Sequence, residues 1–374
     1  MRAAGKSKAW ATALAVSLLA LLGSAGARAD LPLFESHDVM DVTIPVDFGA
    51  LCRPREDENC DYVASELRYR AGDGSDKKVP IEIKIRGGWR SLTRNCSAPL
   101  LWVRFNPETT GGTPFEGLSD VPLTTHCGTG FSLDRMHNGT RHSDWEQYLL
   151  REYLGYRLYG LLTERSVRAR LLQITYLDPG KSGRSISNYA LFTEHFESVA
   201  ARTGSEVLPR GSFSADDLDA QSAGLLALFE FMIGNTDWSI PRERNIILLR
   251  DPAGRQVPVP YDLDMSGLVN AAYAGPAVGL PIEDVSDRWF LGYCHPDTEW
   301  NAIFEQFTGA EAEIMALPGE IPEFDNRSRR WESHFLAQFF EILHSPDARQ
   351  ARILDACLPW PPAPIDEITP EEAH

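Results

Sequence analysis

The sequence is short of positive charge. Its 36 Lys and Arg stand against 53 Asp and Glu, a formal net of −17. A field of that sign repels phosphate backbones, which excludes a nucleic-acid coat. It leaves room for a small phosphate ligand whose charge a bound cation offsets. After the first residues no apolar run approaches the ~18 residues of a membrane span, so no transmembrane segment is expected in the mature chain. CxxC and HExxH are absent, which argues against zinc. GxGxxG, a GKS/T phosphate loop and a GxSxG nucleophile elbow are absent too, and no internal repeat is visible.

What is present is an ordinary globular composition, 43% hydrophobic and 24% charged over 374 residues. That suits one large domain or two ordinary ones. Arg2, Lys6 and Lys8 precede the apolar stretch Ala9–Leu22, and Ala27-Arg28-Ala29 fits a small-residue cleavage site. This pattern predicts a cleaved signal peptide over 1–29 and a periplasmic or secreted protein. The six cysteines all follow it, and an even count in an oxidising compartment points to disulfides. Cys52–Cys60 would staple a polar loop and Cys96–Cys127 would tie two strand ends, leaving Cys294 and Cys357. Sequence alone does not choose among the pairings.

Strand signals dominate the first half. Val39–Val46 is β-rich. Tyr62–Tyr69 and Val79–Ile85 flank an Asp73-Gly74 turn, and Ile81, Ile83 and Ile85 alternate with charged residues. Leu100–Phe105, Val121–Thr125, Arg170–Tyr176 and Ser187–Thr193 are further strand candidates. A capping box at Ser143–Glu146 opens a helix carrying Tyr148, Leu149 and Tyr153. A buried helix is predicted over Ala215–Ile233, ended by Gly234, and later ones over 300–307, 329–343 and 347–356. Strands first and helices later predict an α+β chain with two lobes: 30–200 strand-rich with one major helix, 201–358 helical, and an unstructured tail over 359–374.

The segment from Gly234 to Gly267 carries the chemistry. Asp237 follows the end of the buried helix, Asn245 opens an apolar strand, and Asp251-Pro252-Ala253-Gly254 turns the chain back toward Asp262 and Asp264. A hairpin there brings Asp237, Asn245 and Asp262 to one end. Phosphoryl transfer uses such parts: a carboxylate to orient the accepting hydroxyl, and hard oxygen ligands to hold Mg²⁺ against the phosphates. As turn residues, the same Asp and Asn would serve only as caps. Asp262 and Asp264 alternate, so on a strand they would share a face and repel unless a cation stood between them.

This helix–loop–hairpin order resembles the catalytic and metal-binding block of the atypical protein kinases of the spore-coat protein H (CotH) family. More distantly it resembles HipA-type kinases and the secretory casein kinases. The chain is also similar to exported bacterial proteins that share GNTDWS and a PYDxDxSGLVN block, here Pro260–Asn270. The resemblance spans roughly 39–295. It implies a two-lobed atypical protein-kinase-like fold, with a strand-rich N-lobe and a helical C-lobe. It further implies Mg²⁺- or Mn²⁺-dependent transfer from ATP to a protein or small-molecule hydroxyl, with Asp237 as base and Asn245, Asp262 and Asp264 as metal ligands. Ile83–Gly88 matches the strand entering the family's phosphate loop and brings in Arg86 and Gly87. Glu152 takes the ion-pairing position on the helix, and Tyr189–Glu194 the strand to the nucleotide hinge. The stretch 90–96 holds no lysine, so Lys84 or Arg104 would hold phosphate. The spacing of eight residues from Asp237 to Asn245 exceeds the about five of ordinary kinases. Two other readings use the same residues: a non-catalytic envelope binding module, and a hydrolase with one or two cations on Asp237, Asp262 and Asp264.

Overall fold

The computed structural model describes Met1 and residues 31–54, 60–92, 95–127, 143–180 and 185–362. Residues 2–29 of the predicted signal peptide and all but the first residues of the predicted tail lie outside the described residues, as does the side chain of Ser143 on which the predicted capping box rests.

The first half of the chain forms strands β1 (Met40–Pro45), β2 (Val63–Arg70), β3 (Asp76–Ile85) and β4 (Leu101–Phe105), a one-turn helix α1 (Pro107–Thr110), and β5 (Asp120–Thr124). Helix α2 (Ser143–Leu162) precedes β6 (Ala169–Leu177) and β7 (Ser185–Thr193). These seven strands close on themselves in the order β1-β2-β3-β4-β5-β7-β6. The closing contact is parallel, with Met40 opposite Leu172 and Pro45 opposite Leu177, and the other neighbours run antiparallel. Alternation fixes the two faces. On β3, Val79, Ile81, Ile83 and Ile85 are buried, whereas Lys78 and Glu82 are exposed. Ile44, Leu67, Val103, Phe105, Phe115, Ile174 and Phe192 fill the interior.

Closure overturns the expected two-lobed protein-kinase-like fold. Among the described residues the structure is a closed, mixed seven-stranded barrel accompanied by seven α-helices, not an open N-lobe sheet above a helical C-lobe. The barrel depends on pairing β1 with β6, about 130 residues later in the chain. Local alternation predicts each strand but carries no record of that partner.

The rest of the chain adds α3 (Phe196–Thr203), the short strand β8 (Glu206–Val207), α4 (Ala220–Ile233), β9 (Ile246–Arg250) and β10 (Gln256–Pro260). Then come α5 (Asp297–Glu320), α6 (Asn326–His344) and a final turn α7 (Pro346–Arg349). β10, β9 and β8 form a small antiparallel sheet. α4 starts later than predicted. Asp219 caps it through the Ser222 amide, while the residues before it pair with Gln256. α5 runs far beyond Phe307 because Ile314 and Leu317 continue its buried stripe.

Helices α2, α4, α5 and α6 share a second core with the outer face of β6 and β7, through Leu171 and Leu191. α2 therefore lies between barrel and helices, with Leu150, Leu154 and Leu158 fully buried. Every residue of α4 from Ala223 to Ile233 is buried, Glu230 included. Disulfides join Cys52–Cys60, Cys96–Cys127 and Cys294–Cys357. No helix of the described residues is long and apolar enough to cross a membrane.

Ile174 is fully buried inside the barrel on the closing strand. Ile174→Ala should destabilise the chain by about 2–5 kcal/mol. Urea unfolding followed by tryptophan fluorescence measures the change. A loss below about 1 kcal/mol would mean that the barrel interior is not packed around β6.

Candidate functional site

A cleft of about 730 Å³ opens between the barrel wall and the helical half. That volume is within the usual range for small-molecule sites. Three groups of residues line it. The loop after β3 contributes Arg86, Gly87, Gly88 and Arg90. Helix α2 contributes Glu152 and Tyr156. The segment after α4 and the β9–β10 hairpin contribute Asp237, Asn245, Asp262 and Asp264. Leu100, Trp102, Phe196 and Tyr261 add apolar surface to the lining.

The acidic side is built by chain reversals. α4 ends at Gly234 in left-handed backbone (φ 66°), where its close neighbours are the Phe335 ring and the Val285 carbonyl. Asn235 then folds an Asx turn, its Oδ1 accepting the Asp237 amide at 2.9 Å, while its Nδ2 donates to Glu230 at 2.9 Å. Across the hairpin, Asn245 Nδ2 donates to the Asp237 carbonyl at 2.8 Å and to Asp237 Oδ2 at 3.0 Å. That leaves the Asn245 amide oxygen as the atom available to a ligand. The Tyr261 amide donates to the Asn245 carbonyl at 3.0 Å, so Asp262 leaves the ladder just beside it. Asn245 (φ 52°) and Asp262 (φ 59°) both hold left-handed backbone. Asn and Asp tolerate that region better than other side chains, and its cost is usually carried at functional positions.

The predicted site residues divide into two sets. Asp237, Asn245, Asp262, Asp264, Glu152, Arg86 and Gly87 all line the cleft. Lys84, Arg104 and Glu194 do not. Lys84 shares Arg86's outward face of β3 but lies one strand repeat away, with Nζ 4.6 Å from the centre of the Tyr62 ring. Arg104 stacks on the same ring at 3.7 Å and pairs with Asp120 at 3.0 Å. Glu194 is fully buried and clamped by Arg202 at 2.9 Å and Arg168 at 3.2 Å, which ties α3 to the barrel. Neither lysine nor hinge glutamate therefore serves the cleft, and the guanidiniums of Arg86 and Arg90 supply its positive charge.

Arg90 is the functional residue that sequence reasoning missed. It enters the cleft from the loop following Gly87-Gly88. It pairs with Asp264 through Nη2 and stands 3.8 Å from Asp262 Oδ1. It is the cation that the two neighbouring carboxylates require. The signal was present in the sequence, since a pair of carboxylates predicts a cation of unknown address. Only the fold shows that the loop after β3 provides it.

Burial sets the proton affinities. Desolvation pushes the Glu152 carboxyl up to about 7, against the pull of Arg90 and Arg86, with Asp262 adding to the rise. The Glu152 carboxylate accepts from the Tyr156 hydroxyl at 3.4 Å, and that hydroxyl accepts from the Asp262 amide at 3.1 Å. Burial also holds Asp237 above the ordinary aspartate value, while Arg244 and Asn245 pull it back. Behind Asp237, burial pushes Glu230 up to about 8, opposed by its hydrogen bond from Asn235.

Among the described residues no three His, Cys, Asp or Glu side chains form a metal cage by themselves. Asn245 and Asp262 nevertheless fit a Mg²⁺ or Mn²⁺ ion that keeps water and phosphate oxygens in the rest of its shell, with Asp237 beside them. The Asp262 side chain is 45% exposed to the cleft and offers hard oxygen. Asp264 fits less well, because Arg90 and the Tyr273 hydroxyl (2.9 Å) already occupy its carboxylate. Arg86 lines the same cleft, and its Nε is buried with no hydrogen-bond partner among the described residues. A guanidinium in the lining suits an anionic ligand. No family model matches the chain, and no curated protein matches it.

Glu230 gives a pH prediction. In the folded chain it keeps its proton up to about 8. Unfolded, it ionises near its ordinary value of 4.5. Between those values the unfolded state binds fewer protons, so stability falls as pH rises through the window. Glu230→Gln, which keeps the Asn235 contact without a charge, should flatten that part of the curve. Urea midpoints measured from pH 5 to 8 check this, and an unchanged slope in the variant would assign the dependence elsewhere.

Proposed function

We propose that the cleft is a phosphoryl-transfer site, taking a nucleoside triphosphate with Mg²⁺ or Mn²⁺ and passing a phosphoryl group to a hydroxyl of a protein or small molecule. One observation carries the reading. Asp237, Asn245 and Asp262 converge in a cleft that the Arg86 guanidinium also lines. The sequence resemblance to CotH-type kinases, centred on 234–270, adds to it. Disulfides and the signal-like N-terminal sequence support a periplasmic or secreted setting.

The residues divide the work by chemistry. Asp237, held by Asn245 and Arg244, accepts and orients the proton of the acceptor hydroxyl. Its raised proton affinity suits that role. Asn245 and Asp262 hold the metal, which neutralises charge on the phosphates when bound. Arg86, above Trp102 at 5.7 Å, binds a phosphate oxygen. Leu100, Trp102, Phe196 and Tyr261 exclude water and offer flat surfaces to a ring. A second reading, a non-catalytic envelope binding module, draws on a different observation. Lys84 and Arg104 stand outside the cleft and Arg90 is tied to Asp264, so among the described residues Arg86, itself near Asp262 and Glu152, is the one guanidinium of the lining outside an ion pair.

A thermal-unfolding scan with Mn²⁺ and ATP, separately and together, tests the site. Ligand at about 100 times its dissociation constant adds about 2.7 kcal/mol, a rise of a few degrees for a chain this size. The rise should require both ligands and vanish in Asp262→Asn. Its absence at millimolar ligand would sink the nucleotide reading, and a rise with metal alone would favour hydrolysis. Asp237→Asn should keep the rise while phosphoryl transfer from labelled ATP to envelope fractions falls by about 10²–10⁴-fold. Binding without transfer in the native chain would favour the binding module.

A further inference from the structure

We infer that Arg90 is a fixed cation of the cleft, standing where a second metal ion would otherwise bridge Asp262 and Asp264. The site then accepts a single divalent ion, on the side of Asn245 and Asp262. The inference rests on the phosphoryl-transfer reading for the ion that is bound, but the role of Arg90 is separable from it.

Three observations support it. The first is saturation. Asp264 is 6% exposed, and its carboxylate is held by Arg90 Nη2 and the Tyr273 hydroxyl. Tyr273 is fixed in turn by stacking on Trp145, with centroids 5.6 Å apart and planes at 19°. A metal ion on Asp264 would have to displace two partners in a nearly dry site, where losing either is costly. Asp262 is different: its side chain is 45% exposed and its amide, not its carboxylate, is tied to Tyr156.

The second is bracing. The loop carrying Arg90 is held at both ends. Arg53 Nη1 donates to the Ser91 carbonyl at 2.7 Å, and Ser91 Oγ bonds Gly88 at 2.7 Å and Pro54 at 3.2 Å. The Arg53 segment is closed by Cys52–Cys60, and the end of the Arg90 loop is closed by Cys96–Cys127. The bonds of Ser91 fix the backbone next to Arg90, so the guanidinium is held at the site.

The third is charge. Asp237, Asp262 and Asp264 lie in one cleft with Glu152 beside them. Arg86, Arg90 and Arg244, the last paired with Asp237, offset most of that charge before any ion binds. A second divalent ion would meet the Arg90 charge 3.8 Å from Asp262. Asp264 is therefore a positioning residue for Arg90 and not a metal ligand.

Counting bound Mn²⁺ by electron paramagnetic resonance, with a non-hydrolysable ATP analogue, tests this directly. The native chain should bind one Mn²⁺. Asp264→Asn, nearly isosteric, should still bind one while its unfolding temperature falls, and Asp262→Asn should lose the ion. Arg90→Gln frees both carboxylates and should gain a second Mn²⁺. Arg90→Lys, which keeps a cation and guards against a glutamine variant that does not fold, should stay at one. Two Mn²⁺ on the native chain would overturn the inference. So would an Asp264→Asn variant that remains folded yet loses Mn²⁺ as completely as Asp262→Asn. If the native chain binds no Mn²⁺ with the analogue, the phosphoryl-transfer reading fails instead. Arg90→Gln must then still gain stabilisation by Mn²⁺ alone, and its failure to do so would overturn the role of Arg90.

Discussion

Arg90 lies between Asp264 and Asp262, and the cleft depends on that contact. Three aspartates and a buried glutamate gathered in one partly dry volume would repel, and their desolvation would raise the free energy further. The guanidinium that offsets them comes from the barrel, while the aspartates belong to the helical half. The two parts of the molecule are therefore bound by opposite charge across the cleft as well as by apolar packing around α2. Barrel closure gives the loop after β3 a fixed point of departure. Gly87 (φ 91°) lets the chain turn at once into the cleft.

The protein buries carboxyls in two ways. Glu194 is paired with two arginines and fastens α3. Glu230 has no cationic partner among the described residues and keeps its proton instead. Its neutral carboxyl supports Asn235, Asn235 turns the chain, and the turn presents Asp237. Glu152 is intermediate, with a proton affinity near neutrality set by burial against two nearby arginines. The same residue type thus serves as anchor, scaffold and cleft wall according to the charge its neighbours supply.

Much of the local structure was legible. Alternation along Val79–Ile85 marked a strand with one buried face, and the hydrophobic stripe before Gly234 marked a buried helix. The Asp251–Gly254 turn announced the hairpin that sets Asn245 beside Asp237. Each of these is written in neighbouring residues, whose spacing of two or about four decides which side chains share a face. The choice among positive residues was not legible. Lys84, Arg86, Arg90 and Arg104 lie within about 20 residues of one another. Two face the cleft because of where the strand ends and the loop turns, and two are consumed by Tyr62 and Asp120 on the barrel surface.

The sequence by itself determined the strands, the principal helices and the hairpin carrying Asp237, Asn245 and Asp262, because these follow from short-range periodicity and turn chemistry. Only the tertiary structure decided that the strands close into a barrel instead of forming the lobe of a kinase. Closure needs β1 to find β6 across most of the first half of the chain. Only the tertiary structure, too, decided that Arg90 meets Asp262 and Asp264. That meeting joins residues about 170 positions apart, and no local rule of propensity or spacing reaches so far.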